Sequence, residues 1–419
     1  MEEQLVLESL APPEPGLTER EMIARIVALR PQLLDEQEAA DRRGYHSVEV
    51  QERLIHSGFY RSLQPQMFGG YEFGLPAFLE AACEIARGGP GTGWCATLAA
   101  GHSLPVAAYF PVEAQKAAFG ADGDFRAPHR AIPGGSAVRV EGGYVVDGQW
   151  KFSSGVPYST HFMGTVVVAS EQEDTPPTFR VVLIPRGEYT ILDDWGTDND
   201  ILGLRASGSN AVVVDKCFVP ETMTTPFDWT KPGRSDATIG IDLHKNPMYL
   251  GRIRSFYSSE ISAVMVGAAY AALDEYERLL RTVKTRTPPK VLRIETPEHQ
   301  QVFGQALAWA DSAKAILLHA GETYMQYCQL WQDEGRPFTD SDDLRLTGMF
   351  QQAARLASET VEQLFRSADS SVVGRGDSRM GRYYRDVSMY RGHSIAQYEK
   401  YGAANAGAYL GVPWSPPAV

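Results

Sequence analysis

Gly203-Leu204-Arg205-Ala206-Ser207-Gly208-Ser209-Asn210 runs directly into Val212-Val213-Val214-Asp215 and Phe218-Val219-Pro220. Glycine and small hydroxylated residues followed by valines read as a loop closing onto a strand. Short β-runs recur at 137–146, 164–169, 179–184 and 210–219, with turns such as Glu141-Gly142-Gly143 and Asp147-Gly148 between them. On the N-terminal side, residues 18 to about 120 have a helical period. Ile23, Ile26, Val27 and Leu33 fall on one face, and 78–100 is rich in Ala, Leu and small residues. Gln64-Pro65 and Gly88-Gly89-Pro90-Gly91 interrupt it. On the C-terminal side, 221–250 carries several Pro and Gly and reads as a crossing linker. From about 255 the helical period returns over long spans. Val302, Ala306, Ala310, Ala313, Leu317, Ala320 and Tyr324 form one stripe, and Leu346, Phe350, Ala353, Ala357, Thr360 and Leu364 a second. Such seams mark antiparallel bundle helices. The expected fold is α+β, with an N-terminal helical domain (1–124), a central β-barrel or sandwich (125–225), and a linker with a C-terminal four-helix bundle (226–419). Three long helices offer more apolar face than one bundle needs, so a homo-oligomer is expected.

Composition narrows the function. A chain of 419 residues with 43% hydrophobic and 22% charged residues suits an enzyme of two or three subdomains. The net charge of −13 disfavours nucleic acid and anionic membrane surfaces. The opening Met-Glu-Glu has neither the basic nor the apolar region of a secretion signal, and the most apolar run, 262–273, is too short for a bilayer. Cys83, Cys95, Cys217 and Cys328 show no CxxC pairing. They read as reduced thiols of a cytoplasmic protein, with no metal site.

Further motifs stand in register with the opening stretch. They are Pro133-Gly134-Gly135-Ser136, Gly142-Gly143-Tyr144-Val145-Val146-Asp147-Gly148, Trp150-Lys151-Phe152-Ser153-Ser154-Gly155 and Arg382-Tyr383-Tyr384-Arg385-Asp386. In order and spacing they resemble the acyl-CoA dehydrogenase superfamily over residues 20–405. Where many of its dehydrogenases carry a catalytic glutamate, Met389-Tyr390-Arg391-Gly392-His393 has Arg391, with His393 two residues later. A guanidinium stays protonated and cannot be that base. The Arg-Asp with a downstream histidine, and the W-x-F-x-S-G form, instead resemble the branch of two-component flavin monooxygenases that includes p-hydroxyphenylacetate hydroxylase oxygenase components.

That resemblance implies reduced FMN, or FADH2, from a separate NAD(P)H:flavin reductase, and O2 as co-substrate. It implies oxygen transfer through a C4a-hydroperoxide to a small aromatic, phenolic molecule, in a homotetramer. The chain has no GxGxxG after a strand with which to bind NAD(P)H itself. The resemblance puts Ser153 and Ser154 at the flavin edge, although consecutive serines at a strand end also satisfy turn backbone. Trp150 and Phe152 would flank flavin or substrate, or pack as core. His393 is the candidate to hold a peroxide or take a phenolic proton. His102 is a second catalytic candidate or a satisfied core histidine. His129 and His161 are possible cavity residues. Arg375, Arg379, Arg382 and Arg385, with Arg254 and Arg252 behind them, are candidates for the flavin phosphate. Asp386 reads as an arginine partner or cap, and Arg205 and Trp195 as structural or cavity-lining. Two alternatives stay open: N- or S-oxygenation on the same fold, and an FAD-dependent acyl-CoA dehydrogenase with Glu260 as its base.

Overall fold

The computed structural model describes residues 9–120, 122–170, 176–230 and 238–414. The opening Met-Glu-Glu and positions 231–237 of the expected linker lie outside the described residues. The N-terminal helices are α1 (Glu19–Arg43), α2 (Val48–Ser57), α3 (Leu75–Gly88), α4 (Pro90–Gly101), α5 (Ser103–Tyr109) and α6 (Val112–Phe119). Thr18 starts α1 with a capping box to Glu21, and Gly44 ends it at φ 94°. Pro90 opens α4, where its missing N–H costs nothing.

The strands are β1 (His129–Val140), β2 (Gly143–Trp150), β3 (His161–Val168), β4 (Thr178–Pro185), β5 (Thr190–Ile191), β6 (Val212–Pro220) and β7 (Thr224–Pro226). Among the described residues they form one seven-stranded sheet in the order β5-β6-β2-β1-β3-β4-β7. Only the β1–β3 pair is parallel. Its core gathers Val146, Trp150, Phe162, Val166, Val182 and Val214. The glycines of the 133–136 motif serve that core. A Cβ on Gly134 or Gly135 would lie 2.6 Å from the Trp150 ring, so only glycine lets the indole lie against β1.

After the sheet come α7 (Ile239–His244), α8 (Ile253–Thr282), α9 (Pro297–Glu334), α10 (Asp340–Ser367), α11 (Ser370–Val373), α12 (Arg379–Arg391) and α13 (Tyr398–Leu410). The first α9 stripe residues beyond Val302 and the whole α10 stripe are buried, as their spacing requires. α8 is buried almost all round and packs on α3, α4, α9, α10 and α12. The N-terminal helices therefore share one core with the C-terminal bundle, in which Leu29, Phe78, Val264, Leu346 and Tyr383 all take part. The sheet sits against that body, and the seam between them holds the site. No helix among the described residues is long and apolar enough to cross a membrane.

Candidate active site

A cavity of about 390 Å³ opens where α4, the start of β1, the 152–154 turn, the 204–209 loop, α8 and the end of α12 meet. That size lies within the range of small-ligand pockets. Trp94, Leu98, Phe152, Trp195, Ile261 and Ile395 give it apolar walls. Phe152 sits at φ 60°, keeps 51% of its surface exposed, and meets Trp195 edge-on at 5.7 Å. A β-region residue would have turned that ring into the sheet; the left-handed backbone turns it to the cavity.

Three hydroxyls line one part of the cavity. Ser154 and Ser209 are 2.7 Å apart, Ser209 and Ser207 2.6 Å, and the Trp94 indole N–H donates to Ser154 at 3.0 Å. The two internal bonds use two of the three hydroxyl protons, so one hydroxyl of the three keeps a proton to donate to a ligand. Beside them the His393 ring packs edge-on to Trp94 at 5.8 Å.

The two histidines expected to be catalytic are opposite tautomers. The backbone N–H of Ile395 donates to His393 Nδ1 at 3.3 Å, so the neutral ring carries its proton on Nε2. Burial, helped by the Arg130 charge, pushes the His393 pKa down to about 4. His102 Nδ1 instead donates to the Ala127 carbonyl at 2.7 Å, which leaves Nε2 as a lone pair. Burial likewise pushes His102 down to about 4. His393 thus offers the cavity an N–H, and His102 a lone pair.

Around His102 the cavity is polar and enclosed. His129 Nδ1 and the Tyr257 hydroxyl are 2.6 Å apart, and His102 contacts both rings edge-on. Glu260 is fully buried, with Oε2 4.0 Å from His102 Nε2. Arg130, half-buried, is the cation lining the cavity among the described residues.

Residues 259–398 match the family "Acyl-CoA dehydrogenase, C-terminal domain". Over 381 residues the chain is 30% identical to the oxygenase subunit HsaA of a flavin-dependent monooxygenase from Rhodococcus jostii (strain RHA1), covering 90% of this chain and 94% of that one. The chain belongs to the flavin-dependent monooxygenase oxygenase subunits. This oxygenase is also 24% identical to the oxygenase component of p-hydroxyphenylacetate 3-hydroxylase from Acinetobacter baumannii, over 92% of this chain and 88% of that one. It superposes on the crystal structure of the 3-HSA hydroxylase from Rhodococcus sp. RHA1 with a TM-score of 0.84, at 26% identity, over 95% of this chain and 99% of that one. The dehydrogenase alternative gives way accordingly. Arg391, in the glutamate's position, points away from the cavity and pairs with Glu362 at 2.7 Å.

The oxygenase brings together His393, His102, Ser154 and Phe152 of the residues named from sequence, together with His129 and Trp195. The others lie elsewhere. Ser153 is fully buried and donates its hydroxyl to the Trp150 carbonyl at 3.1 Å, so it presents nothing to the cavity. Trp150 is sheet core, its N–H spent on the Thr165 carbonyl at 2.9 Å. Arg382 is buried against Asp41 at 2.7 Å and Gln37 at 3.1 Å. Arg254 is buried against Asp343 and the Thr230 carbonyl, and Arg252 lies over the Phe338 ring. Arg385 reaches the Gly376 carbonyl, Arg379 lines a separate groove beside α1 and α8, and Arg375 is exposed. Arg205 donates to the Ile201 carbonyl at 2.6 Å. His161 packs on Phe125, outside the cavity.

Sequence reasoning missed Trp94, Tyr257, Ser207, Ser209 and Arg130. Ser207 and Ser209 lie in the 203–210 motif, and Arg130 adjoins His129 in the sequence. Trp94 and Tyr257 sit in helices buried on all sides, where no period sets one face apart.

Proposed function

We propose that this chain is the oxygenase component of a two-component monooxygenase that hydroxylates a small phenolic aromatic, receiving reduced FMN or FADH2 from a separate NAD(P)H:flavin reductase. The observation that carries this reading is the pairing of opposite histidine tautomers in one cavity. A phenol must lose its hydroxyl proton as its ring takes up oxygen, and His102 Nε2 is a neutral lone pair able to accept it. His393 Nε2–H would serve as a hydrogen-bond donor toward the oxygen to be transferred.

The lining suits a flavin ring on this structure's own evidence. The Ser154–Ser209–Ser207 chain has a proton to spare for a polar ring edge, and Trp94, Phe152 and Trp195 supply flat apolar walls. Reduced flavin, when bound, supplies the activation of dioxygen. The protein's part is to hold that ring through Ser154, to exclude water with the aromatic walls, and to move the substrate proton to His102.

A homotetramer in the cytoplasm completes the proposal. The exposed apolar Tyr409 (71%), Leu410 (68%) and Val412 (50%) support self-association, and four free cysteines suit a reducing compartment. The test is reconstitution with a flavin reductase, NADH and FMN under ¹⁸O2 over a panel of phenols, with light scattering for the oligomer. Expected are tight anaerobic binding of reduced FMN and one labelled oxygen atom in the product. Failure to bind reduced FMN or FADH2 would sink the reading.

A further inference from the structure

Glu260 is the one buried carboxyl lining the cavity among the described residues, and neither of its oxygens has a hydrogen-bond partner. Burying a carboxyl without partners is costly whether it is charged or neutral, so a fold that keeps one has a use for it. The surroundings are cut to fit it. A Cβ on Gly101 would fall 1.8 Å from Glu260 Oε1, so glycine on the facing turn of α4 makes the room. Tyr257, one turn earlier on α8, lines the same end, and its hydroxyl meets His129, whose Nε2 also lacks a partner. Burial raises the Glu260 pKa well above the ordinary carboxylate value, the direction that favours the protonated form with one O–H to donate.

The gap to His102 gives the carboxyl a purpose. Nε2 and Oε2 are 4.0 Å apart, too far for a direct hydrogen bond. A single oxygen at about 2.8 Å from each would bridge them. That oxygen has to donate to the His102 lone pair and accept from the Glu260 O–H. A hydroxyl does both; a methyl ether, a carboxylate and an apolar carbon do not. We propose that Glu260 is a specificity-determining residue, which together with His102 recognises a hydroxyl group of a neutral phenolic substrate as the oxygen bridging the two side chains. This rests on the reading of the cavity as the site of a phenol hydroxylase. It goes further by naming which group of the substrate is held, and by what.

The consequence is chemical as well as selective. The bridged hydroxyl gives its proton to His102 Nε2 while Glu260 donates to the oxygen that is gaining charge. The O–H bond breaks, an N–H bond forms, and the electron pair stays on the substrate oxygen. No oxidant is consumed in this step.

The test uses full-length protein under anaerobic conditions with saturating reduced FMN, and as probes resorcinol and its dimethyl ether. Wild type is expected to bind resorcinol about tenfold or more tightly than the ether. Glu260→Leu should bring the two affinities within about twofold by weakening resorcinol alone, and Glu260→Gln, which keeps a donor and an acceptor, should retain most of the preference. Difference infrared spectra add an independent readout. Wild type should show a protonated-carboxyl band that shifts on adding resorcinol and is missing in Glu260→Gln. Absence of a hydroxyl preference in wild type, its survival in Glu260→Leu, or a carboxyl band unmoved by resorcinol would each overturn the proposal. Failure of reduced FMN to bind wild type at all is a different result, and strikes the enzyme assignment itself.

Discussion

The backbone N–H of Leu204 donates to Asp386 Oδ1 at 2.6 Å, tying the loop of the opening motif to α12 across 182 residues of sequence. Leu204 sits at φ 50°, and a Cβ on neighbouring Gly203 would fall 2.2 Å from the Arg385 carbonyl. The loop carrying Ser207 and Ser209 and the helix delivering His393 are thus held in one frame by a single buried carboxyl. Replacing Asp386 by Ala leaves a buried N–H unpaired, at a cost of about 1–3 kcal/mol. Replacing it by Asn keeps the acceptor.

Burial, and then the neighbouring Asp41 carboxylate, push the Asp386 carboxyl up from the usual carboxylate range. The folded protein therefore holds this proton more tightly than the unfolded chain does. Stability from the group is complete below the unfolded value of about 3.9 and is lost as pH rises through the higher folded one. Urea unfolding of wild type and Asp386→Asn at pH values from about 5 to 8 should show wild type losing ground to the variant as pH rises. A constant difference across that range would mean that the folded carboxyl is already ionised at pH 5 and that burial does not raise its pKa.

Ser153 and Ser154 adjoin in sequence and part in structure, which makes them a paired test. Ser154→Ala removes the link between Trp94 and Ser209 at the cavity wall. Reduced-FMN affinity should fall about fivefold or more, with the unfolding midpoint little changed. Ser153→Ala removes a bond to the Trp150 carbonyl in the turn. It should lower stability by about 1 kcal/mol and leave flavin affinity alone. The reverse pattern would place the flavin edge at the wrong serine.

Both serines read alike from the sequence because a motif fixes a turn but not which of two successive side chains faces a ligand. The fold was legible for a different reason: helical period, then β-runs, then long small-residue stripes such as Ala306 to Tyr324 is an order few architectures share. Two readings stayed open for Trp150, cofactor wall or core, because an aromatic on a strand looks the same from either face. What settles it, the glycines at 134, 135 and 164 against its ring, belongs to other strands. For Arg382 the partners that occupy it, Asp41 and Gln37, lie more than 300 residues earlier, beyond the reach of a C-terminal motif. Glu260 could be noticed as a carboxyl on a helix, but its isolation depends on Gly101 and His102 from another helix.

Arg382 is accordingly expected to be structural. Arg382→Ala leaves Asp41 buried without its cation and should cost about 3–5 kcal/mol, whereas Arg382→Lys restores the charge but not the second bond to Gln37. Exposed Arg375→Ala should be silent in stability. If Arg382→Ala instead folds as wild type and loses only flavin affinity, the guanidinium serves the cofactor after all.

His393 is the sharpest functional prediction, because its tautomer separates two roles. As a donor through Nε2–H it has no lone pair free for a phenolic proton, the Nδ1 pair being engaged by the Ile395 N–H. With its pKa near 4 it stays neutral through the physiological range, so its own ionisation should leave no step in the coupling ratio between about pH 6 and 8. His393→Ala should keep binding phenols while oxygen is consumed and released as peroxide, with product per O2 falling about tenfold or more. His393→Asn, which retains an N–H donor, should recover part of that coupling. His102→Ala should differ in kind, with its product formation rising as pH approaches the phenol's own pKa, because a phenolate needs no base. If it is His393→Ala whose coupling is restored at high pH, and His102→Ala whose coupling is not, then the two tautomers have been assigned to the wrong partners in the reaction.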